Sequence, residues 1–187
     1  MKALIKFFGI LLAIFLLVVW FFFDNIKGYY TFKEYCEKEG GLTVYEPLEK
    51  NVGWWAKDRY DAKVIANIKN VGFSRFKDTK DEKNYDVIFI AGEPIQDSSY
   101  KVIDEISDND TTYQWISDWK YVDESKRLKM SFLKVLDKNN KELVVHKIFY
   151  FSPYGGALGG PDWIVCDNKK VKPNNWKQEF ISAFKTE

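Results

Sequence analysis

The first pattern in the chain is a run of apolar residues next to the N-terminus. Residues 7–23 contain no charged side chain, and the run extends to residue 3 if the Lys6 ammonium reaches the lipid headgroups. A helix over residues 3–23 spans about 31 Å, enough to cross the hydrocarbon core of a bilayer. The pattern therefore predicts a transmembrane anchor over residues 1–23 and one domain over residues 24–187.

A cleavable signal peptide is the alternative interpretation of this segment. Cleavage requires small residues just before the cut, whereas residues 20–23 read WFFF and meet Asp24 directly. We therefore favour an uncleaved, single-pass anchor. Lys2 and Lys6 precede the apolar run and favour an N-terminus in the cytoplasm. The expected location is the inner (cytoplasmic) membrane, with the C-terminal domain periplasmic or extracellular.

Three later stretches repeat apolar residues with the period of a helix. Residues 29–39 form a short amphipathic stretch that Gly40 and Gly41 end, because glycine readily takes the left-handed conformation of a helix C-cap. Residues 58–71 and 173–184 place apolar side chains three and four positions apart. We expect one helix in each stretch.

Between these helical stretches the pattern changes to a period of two, which is typical of strands. Hairpin loops are expected where charged or Asn-rich segments interrupt the alternation. The predicted strands are residues 42–48, 85–91, 100–106, 112–122, 128–136, 143–151 and 163–166. The expected fold class is α+β, with an antiparallel β-meander of about 4–6 strands and flanking helices.

The two cysteines lie near opposite ends of the predicted domain. Cys36 and Cys166 form an even pair, which favours a disulfide in a domain outside the cytoplasm. Two buried free thiols are the alternative. A bridge closing so long a loop stabilises a domain by about 4–5 kcal/mol in the chain-entropy model.

Charge excludes one class of function. Removing Lys2 and Lys6 with the anchor leaves 26 basic and 27 acidic side chains, a net charge of −1. Proteins that bind nucleic acid through phosphate contacts carry clustered positive charge. We therefore expect no nucleic acid among the partners.

The glycine-rich segment at residues 155–160, GGALGG, raises the question of a phosphate-binding loop. A Walker loop needs Gly-Lys-Ser or Gly-Lys-Thr at the start of a helix, and a dinucleotide fingerprint needs a strand, a turn and a helix. Neither context is present, so we interpret the segment as a wide turn. Tyr154 and Leu158 near its tip are candidate partner-binding residues.

No residue pattern points to a catalytic centre. His146 is the sole histidine and has no Cys, His, Asp or Glu at ligand spacing, so we predict neither a metal site nor a cofactor. Acidic residues such as Asp104, Glu105 and Asp118 become relevant only if the fold gathers them in a cleft.

The most distinctive pattern is a row of aromatic residues at alternating positions in the predicted strand 112–122. Tyr113, Trp115, Trp119 and Tyr121 would share one face of that strand. Such a row is usually core beneath a covering helix. The alternative is a face exposed to a glycan or a protein, so all four residues are candidate partner-binding residues.

These observations favour a membrane-anchored, extracytoplasmic protein-binding module over an enzyme. Immunity proteins that guard a bacterium against periplasm-acting toxins share this layout of one anchor and one compact domain, and we favour an immunity or inhibitor role. The first alternative is an accessory subunit of an envelope secretion, pilus or transport assembly. The second is an envelope enzyme or ligand carrier that uses Asp104, Glu105 or Asp118.

Overall fold

A computed structural model describes residues 2–92, 96–106, 110–124, 127–153, 163–166 and 176–185, with the backbone alone at residues 2–5 and 21. Its described residues form three α-helices and nine strands. In chain order these are α1 (Lys2–Glu39), β1 (Gly41–Val44), β2 (Val52–Trp55), α2 (Arg59–Ala66), β3 (Val71–Lys77), β4 (Asn84–Phe89), β5 (Tyr100–Asp104), β6 (Thr111–Asp123), β7 (Leu128–Leu136), β8 (Glu142–Phe151), β9 (Ile164–Val165) and α3 (Trp176–Ile181).

Helix α1 joins two segments that the sequence pattern separates. The apolar run and the predicted helix at residues 29–39 are one continuous helix of 38 residues. Its N-terminal part has the length and hydropathy of a membrane span or a signal sequence and lies outside the fold. Gly28 does not interrupt the helix, because one glycine costs only about 1 kcal/mol in a helix interior. The helix ends where the Gly40 N–H donates to the Tyr35 carbonyl at 3.1 Å.

The sheet is mixed and wider than the predicted meander of 4–6 strands. The described strands follow the order β1-β8-β7-β6-β2-β3-β4-β5, and β9 also pairs with β8. Strands β6–β8 and β3–β5 are two antiparallel meanders, and β2 joins them by pairing in parallel with both β3 and β6. Helix α2 supplies the crossover that a parallel β2–β3 pair requires.

The two strands missing from the sequence prediction are β2 and β3. Residues 52–55, VGWW, are too short to show a period, and both neighbours of β2 are parallel, so no hairpin turn marks it. In β3, Gly72 resembles the glycine that ends a helix, yet it lies inside the strand. The charged segment at residues 78–83 forms the loop between β3 and β4.

The sheet is covered on its two faces by different helices. Helices α2 and α3 cover one face, over a core that includes Trp54, Ile65, Trp115 and Phe180. The C-terminal part of α1 covers the other face at β7 and β8, where Phe32 stacks on Phe151 with ring centroids 6.0 Å apart.

The predicted disulfide is confirmed. Cys36 on α1 and Cys166 after β9 are bonded to each other across 130 residues of chain, and both are buried in the cluster beneath α1. The bridge therefore links α1 covalently to the strand at the edge of the sheet. A disulfide is typical of domains outside the cytoplasm.

Candidate functional site

A cleft of about 990 Å³ lies between α2, α3 and the face of the sheet that these helices cover. We call it the sheet cleft. Its floor is formed by β6, β7 and β8, and its walls by the two helices and the short 3-10 turn at Asp97–Ser99. Its polar and aromatic lining includes Lys57, Tyr60, Asp61, Lys63, Asp97, Trp115, Ser117, Asp118, Trp119, His146, Trp176 and Lys177.

The first wall of the cleft is positioned by the N-terminus of α2. Asp58 is the N-cap, and its carboxylate accepts the backbone N–H of Asp61 at 2.9 Å. Ala62 and Ile65 of the same helix are fully buried against the sheet. Asp61 precedes Ile65 by one turn, so its side chain lies on the same buried side of the helix.

Asp61 is the most buried acid of the cleft lining. Only 9% of its surface is exposed, and its two carboxylate oxygens lie 3.1 and 3.3 Å from the Ser117 hydroxyl on β6, which donates to them. Burial raises the pKa of Asp61, and the Ser117 hydrogen bond opposes this effect. A perturbed carboxyl group in a cleft is a recognised mark of a functional site.

The floor and the second wall each bring a further titratable group to the cleft, His146 on β8 and Lys177 on α3. His146 on β8 is buried, and its Nε2 lies 3.3 Å from Glu179 Oε2 on α3. Burial lowers the pKa of His146, and the neighbouring Glu179 carboxylate opposes this effect. Lys177 donates to Asn67 Oδ1 at 3.0 Å, and burial lowers its pKa as well.

The structure divides the predicted aromatic row into two halves. Tyr113 and Trp115 are 7% and 3% exposed and belong to the core, where Trp115 packs against Phe180 at 5.8 Å. Trp119 and Tyr121 are 60% and 54% exposed. Half of the row is therefore core, and the other half is exposed.

The division follows from the lengths of the elements. Strand β6 has 13 residues, whereas α2 and α3 have 8 and 6. At about 1.5 Å per helical residue and about 3.3 Å per strand residue, these helices are too short to cover the whole strand. The C-terminal half of β6 thus extends beyond them.

The exposed half continues across the neighbouring strand. Trp119 packs on Tyr150 of β8 with ring centroids 4.9 Å apart. The Lys129 ammonium lies 4.6 Å from the centre of the Tyr121 ring, a cation–π distance. We call Trp119, Tyr121 and Tyr150 the aromatic surface; Trp119 also lines the sheet cleft.

The three acids considered for an enzyme are not brought together. Glu105 Oε1 accepts from Arg75 Nη1 at 2.6 Å, in a network where Arg75 also binds the fully buried Asp86 at 2.6 and 2.9 Å. Asp104 is exposed on β5. Asp118 is exposed at the rim of the cleft, and its carboxylate accepts the Trp119 backbone N–H at 2.8 Å.

Other candidates remain outside the described residues or form no cluster within them. Tyr154 and Leu158 lie in residues 154–162, which the structure does not describe. Among the described residues, no group of three or more Cys, His, Asp or Glu side chains is placed to hold a metal ion.

The sequence prediction missed Asp61, Ser117 and Tyr150. A signal for Asp61 was present, because it lies four and seven residues before Ile65 and Ile68 on the apolar face of the predicted helix. Ser117 and Tyr150 carry no comparable signal, since their importance comes from contacts between strands distant in sequence.

Comparisons with known proteins add no functional information to these structural features. No protein-family model matches the chain, and neither the curated proteins nor the solved structures contain a match.

Proposed function

We propose that this protein is a membrane-anchored, extracytoplasmic module that binds another protein through the aromatic surface and the adjoining sheet cleft. The observation that carries the proposal is the exposure of Trp119 and Tyr121 beside the cleft, 60% and 54% respectively, on an otherwise packed sheet face. Large apolar side chains that stay exposed next to a cleft favour an interaction site.

The aromatic surface has the properties of a binding hot spot. Trp and Tyr bury large areas on binding and lose few rotamers, so they dominate the energetics of many interfaces. The contact of Trp119 with Tyr150 restricts the indole before a partner arrives. Such pre-organisation reduces the entropy lost on association.

Helix α1 supports the anchor and gives the floor of the sheet cleft a height above the membrane. Asn25 on α1 is buried and accepts a hydrogen bond from Arg127 Nη2 at 2.7 Å, so the fold contacts the helix two residues after the apolar run. Farther along, Lys147 on β8 donates to Glu39 at 3.0 Å. Sixteen residues of helix separate Phe23 from Glu39, a rise of about 24 Å.

The height of the cleft floor favours a protein over a lipid as the occupant of the cleft, whereas the aromatic surface lies closer to the apolar segment, since Tyr150 pairs with Lys129 near the Asn25–Arg127 contact. His146 adjoins Lys147 on β8, so the floor of the sheet cleft lies at a similar distance along the helix, beyond the reach of headgroups that extend only about 5–8 Å from the hydrocarbon core. Within the class of protein partners we favour a toxin, with this protein as its immunity protein or inhibitor. A subunit of an envelope assembly is the alternative partner.

A photo-crosslinking experiment in the native host tests the proposal. Benzoylphenylalanine at position 119 should capture one stoichiometric protein, and the same group at Lys120, on the opposite face of β6, should not. The double variant Trp119→Ala/Tyr121→Ala should lose at least tenfold in co-purification of that protein, whereas Lys120→Ala retains it.

The identity of the captured protein separates the two roles. If the captured protein is a toxin, cells carrying the double variant should become as sensitive to it as cells that lack this protein. An envelope subunit would instead predict loss of the assembly. Undiminished co-purification with the double variant would contradict the proposed binding surface.

A further inference from the structure

The Asp61 carboxylate lies in the wall of the sheet cleft with no cation in direct contact, and the charge of Lys57, also on the cleft lining, acts on it from beyond ion-pair distance. Among the described residues, its side-chain contact is the Ser117 hydroxyl, and no ammonium or guanidinium lies within ion-pair distance. An ionised carboxylate buried without a counter-charge is costly, because it loses hydration that the protein does not replace.

The basic residues of the cleft have other contacts. Lys63 forms its ion pair with Asp97 on the 3-10 turn. Lys177 donates to Asn67 and lies 5.7 Å from the centre of the Trp176 ring. Burial lowers the pKa of Lys177, and among the described residues no ion pair joins it to Asp61. The Asp61 carboxylate can therefore still form an ion pair with a cation from outside the chain.

Aromatic rings line the same cleft. Tyr60 is 75% exposed on α2, Trp119 is exposed on β6, and Trp176 lies on α3. Planar cations stack on such faces, and a guanidinium does so while binding a carboxylate through two parallel hydrogen bonds.

We propose that the sheet cleft receives a basic side chain of the protein partner, preferentially arginine, with its guanidinium bound to Asp61 and covered by the aromatic rings. This inference rests on the proposed function, because it names the chemistry by which that partner is recognised. Arginine is favoured over lysine because the planar fork matches both the carboxylate and the stacking geometry.

The test uses the full-length, disulfide-bonded protein in nanodiscs, with its tryptophans replaced by 5-fluorotryptophan for ¹⁹F NMR. The Trp119→Phe and Trp176→Phe variants assign the signals of these two cleft residues. The probes are N-acetyl-Gly-Arg-Gly-amide and the same tripeptide with citrulline, which is nearly isosteric but neutral. Each is added up to about 10 mM, tenfold above the millimolar dissociation constants expected of small fragments.

The arginine peptide should shift the Trp119 and Trp176 signals saturably, and the citrulline peptide should bind at least tenfold more weakly. Asp61→Asn should remove the difference between the peptides, since the amide keeps the shape and the Ser117 contact but not the charge. Asp104→Asn, an exposed acid on β5, should preserve it. Equal binding of both peptides, an unchanged Asp61→Asn titration, or no shift at all would overturn the inference.

Failure of this inference and failure of the proposed function are distinguishable. A protein captured at position 119 by a chain that does not discriminate arginine from citrulline would leave the proposed function standing and remove only the role of Asp61. Arginine binding without any captured protein would leave the cation-binding role of Asp61 standing and contradict the proposed protein partner.

Discussion

Asp61 is the residue at which the requirements of the cleft and of stability conflict. The helix places it against the sheet, where an apolar residue would pack without cost, and Ser117 satisfies its hydrogen bonding only in part. Functional sites commonly keep such unfavourable groups, because the rest of the fold supplies the stability that they lack. The opposite case is the Arg75–Asp86 pair, whose buried charges satisfy each other through two hydrogen bonds.

We predict that Asp61→Asn stabilises the protein at neutral pH by about 1 kcal/mol. Burial raises the folded-state pKa of Asp61 above its usual 3.8, so the ionised carboxylate penalises the native state at every pH above that folded pKa. The penalty disappears as pH falls through the folded pKa and then below the unfolded one. The gain in the variant should therefore be present at pH 7 and absent at about pH 3.

Urea unfolding of wild type and variant at both pH values measures this difference. Asp104→Asn is the matched control, because Asp104 is exposed and its substitution should change the free energy of unfolding by less than about 0.5 kcal/mol. A destabilised Asp61→Asn variant at pH 7 would show that the carboxylate is better satisfied than these contacts indicate.

At the scale of elements, α1 is both the apolar N-terminal segment and part of the core. Its first half is exposed and apolar, while Phe32 and Cys36 are buried against β7, β8 and β9. The helix and the sheet are linked by aromatic packing, by the Asn25–Arg127 hydrogen bond and by the disulfide. The covalent link has the largest expected effect.

We predict that Cys36→Ser/Cys166→Ser lowers the free energy of unfolding by about 4–5 kcal/mol, because the disulfide closes a loop with a sequence separation of 130 residues. Urea unfolding of the full-length protein in detergent measures the loss. Wild type treated with a reducing agent should unfold at the same urea concentration as the double variant. Coincident transitions of the variant and the oxidised wild type would contradict this account.

At the scale of the whole molecule, α1 and β8 run antiparallel to each other and set the direction of the domain. Tyr35 contacts Phe149, and Glu39 contacts Lys147, so β8 points back toward the apolar segment. The turn between β6 and β7 therefore lies near the apolar end of α1, and the turn between β7 and β8 lies at the other end of these strands. The two ends of β7 are about 30 Å apart.

With α1 as the proposed anchor, this geometry predicts different distances from the bilayer for the two turns. A nitroxide-bearing amino acid at Glu124 should relax strongly in nanodiscs that contain nickel-chelating headgroups, and the same group at Asn139 should not. Both residues are exposed, so neither label disturbs the core. Equal relaxation at the two positions would contradict an upright domain.

Much of the element content follows from local pattern. The apolar segment and β4 were predicted from continuous apolar runs, and α2 and β6 to β8 from periodicity, because each of these four elements is long enough to show its period. The mixed sheet was not predicted, since β2 has four residues and gains its place from pairing with β3 and β6, which are distant along the chain. Its formation depends on contacts that no local window contains.

The candidate site shows the same division. Alternation alone determined that Trp115, Trp119 and Tyr121 share a face. Apolar patterning determined the α+β class, and the even cysteine count favoured the disulfide. Only the tertiary structure decided that Trp115 is core while Trp119 and Tyr121 are exposed, because burial depends on how far α2 and α3 extend over β6. It also brought Ser117 to Asp61, 56 residues away along the chain. Periodicity specifies which side chains share a face, whereas packing between distant elements decides which faces are covered.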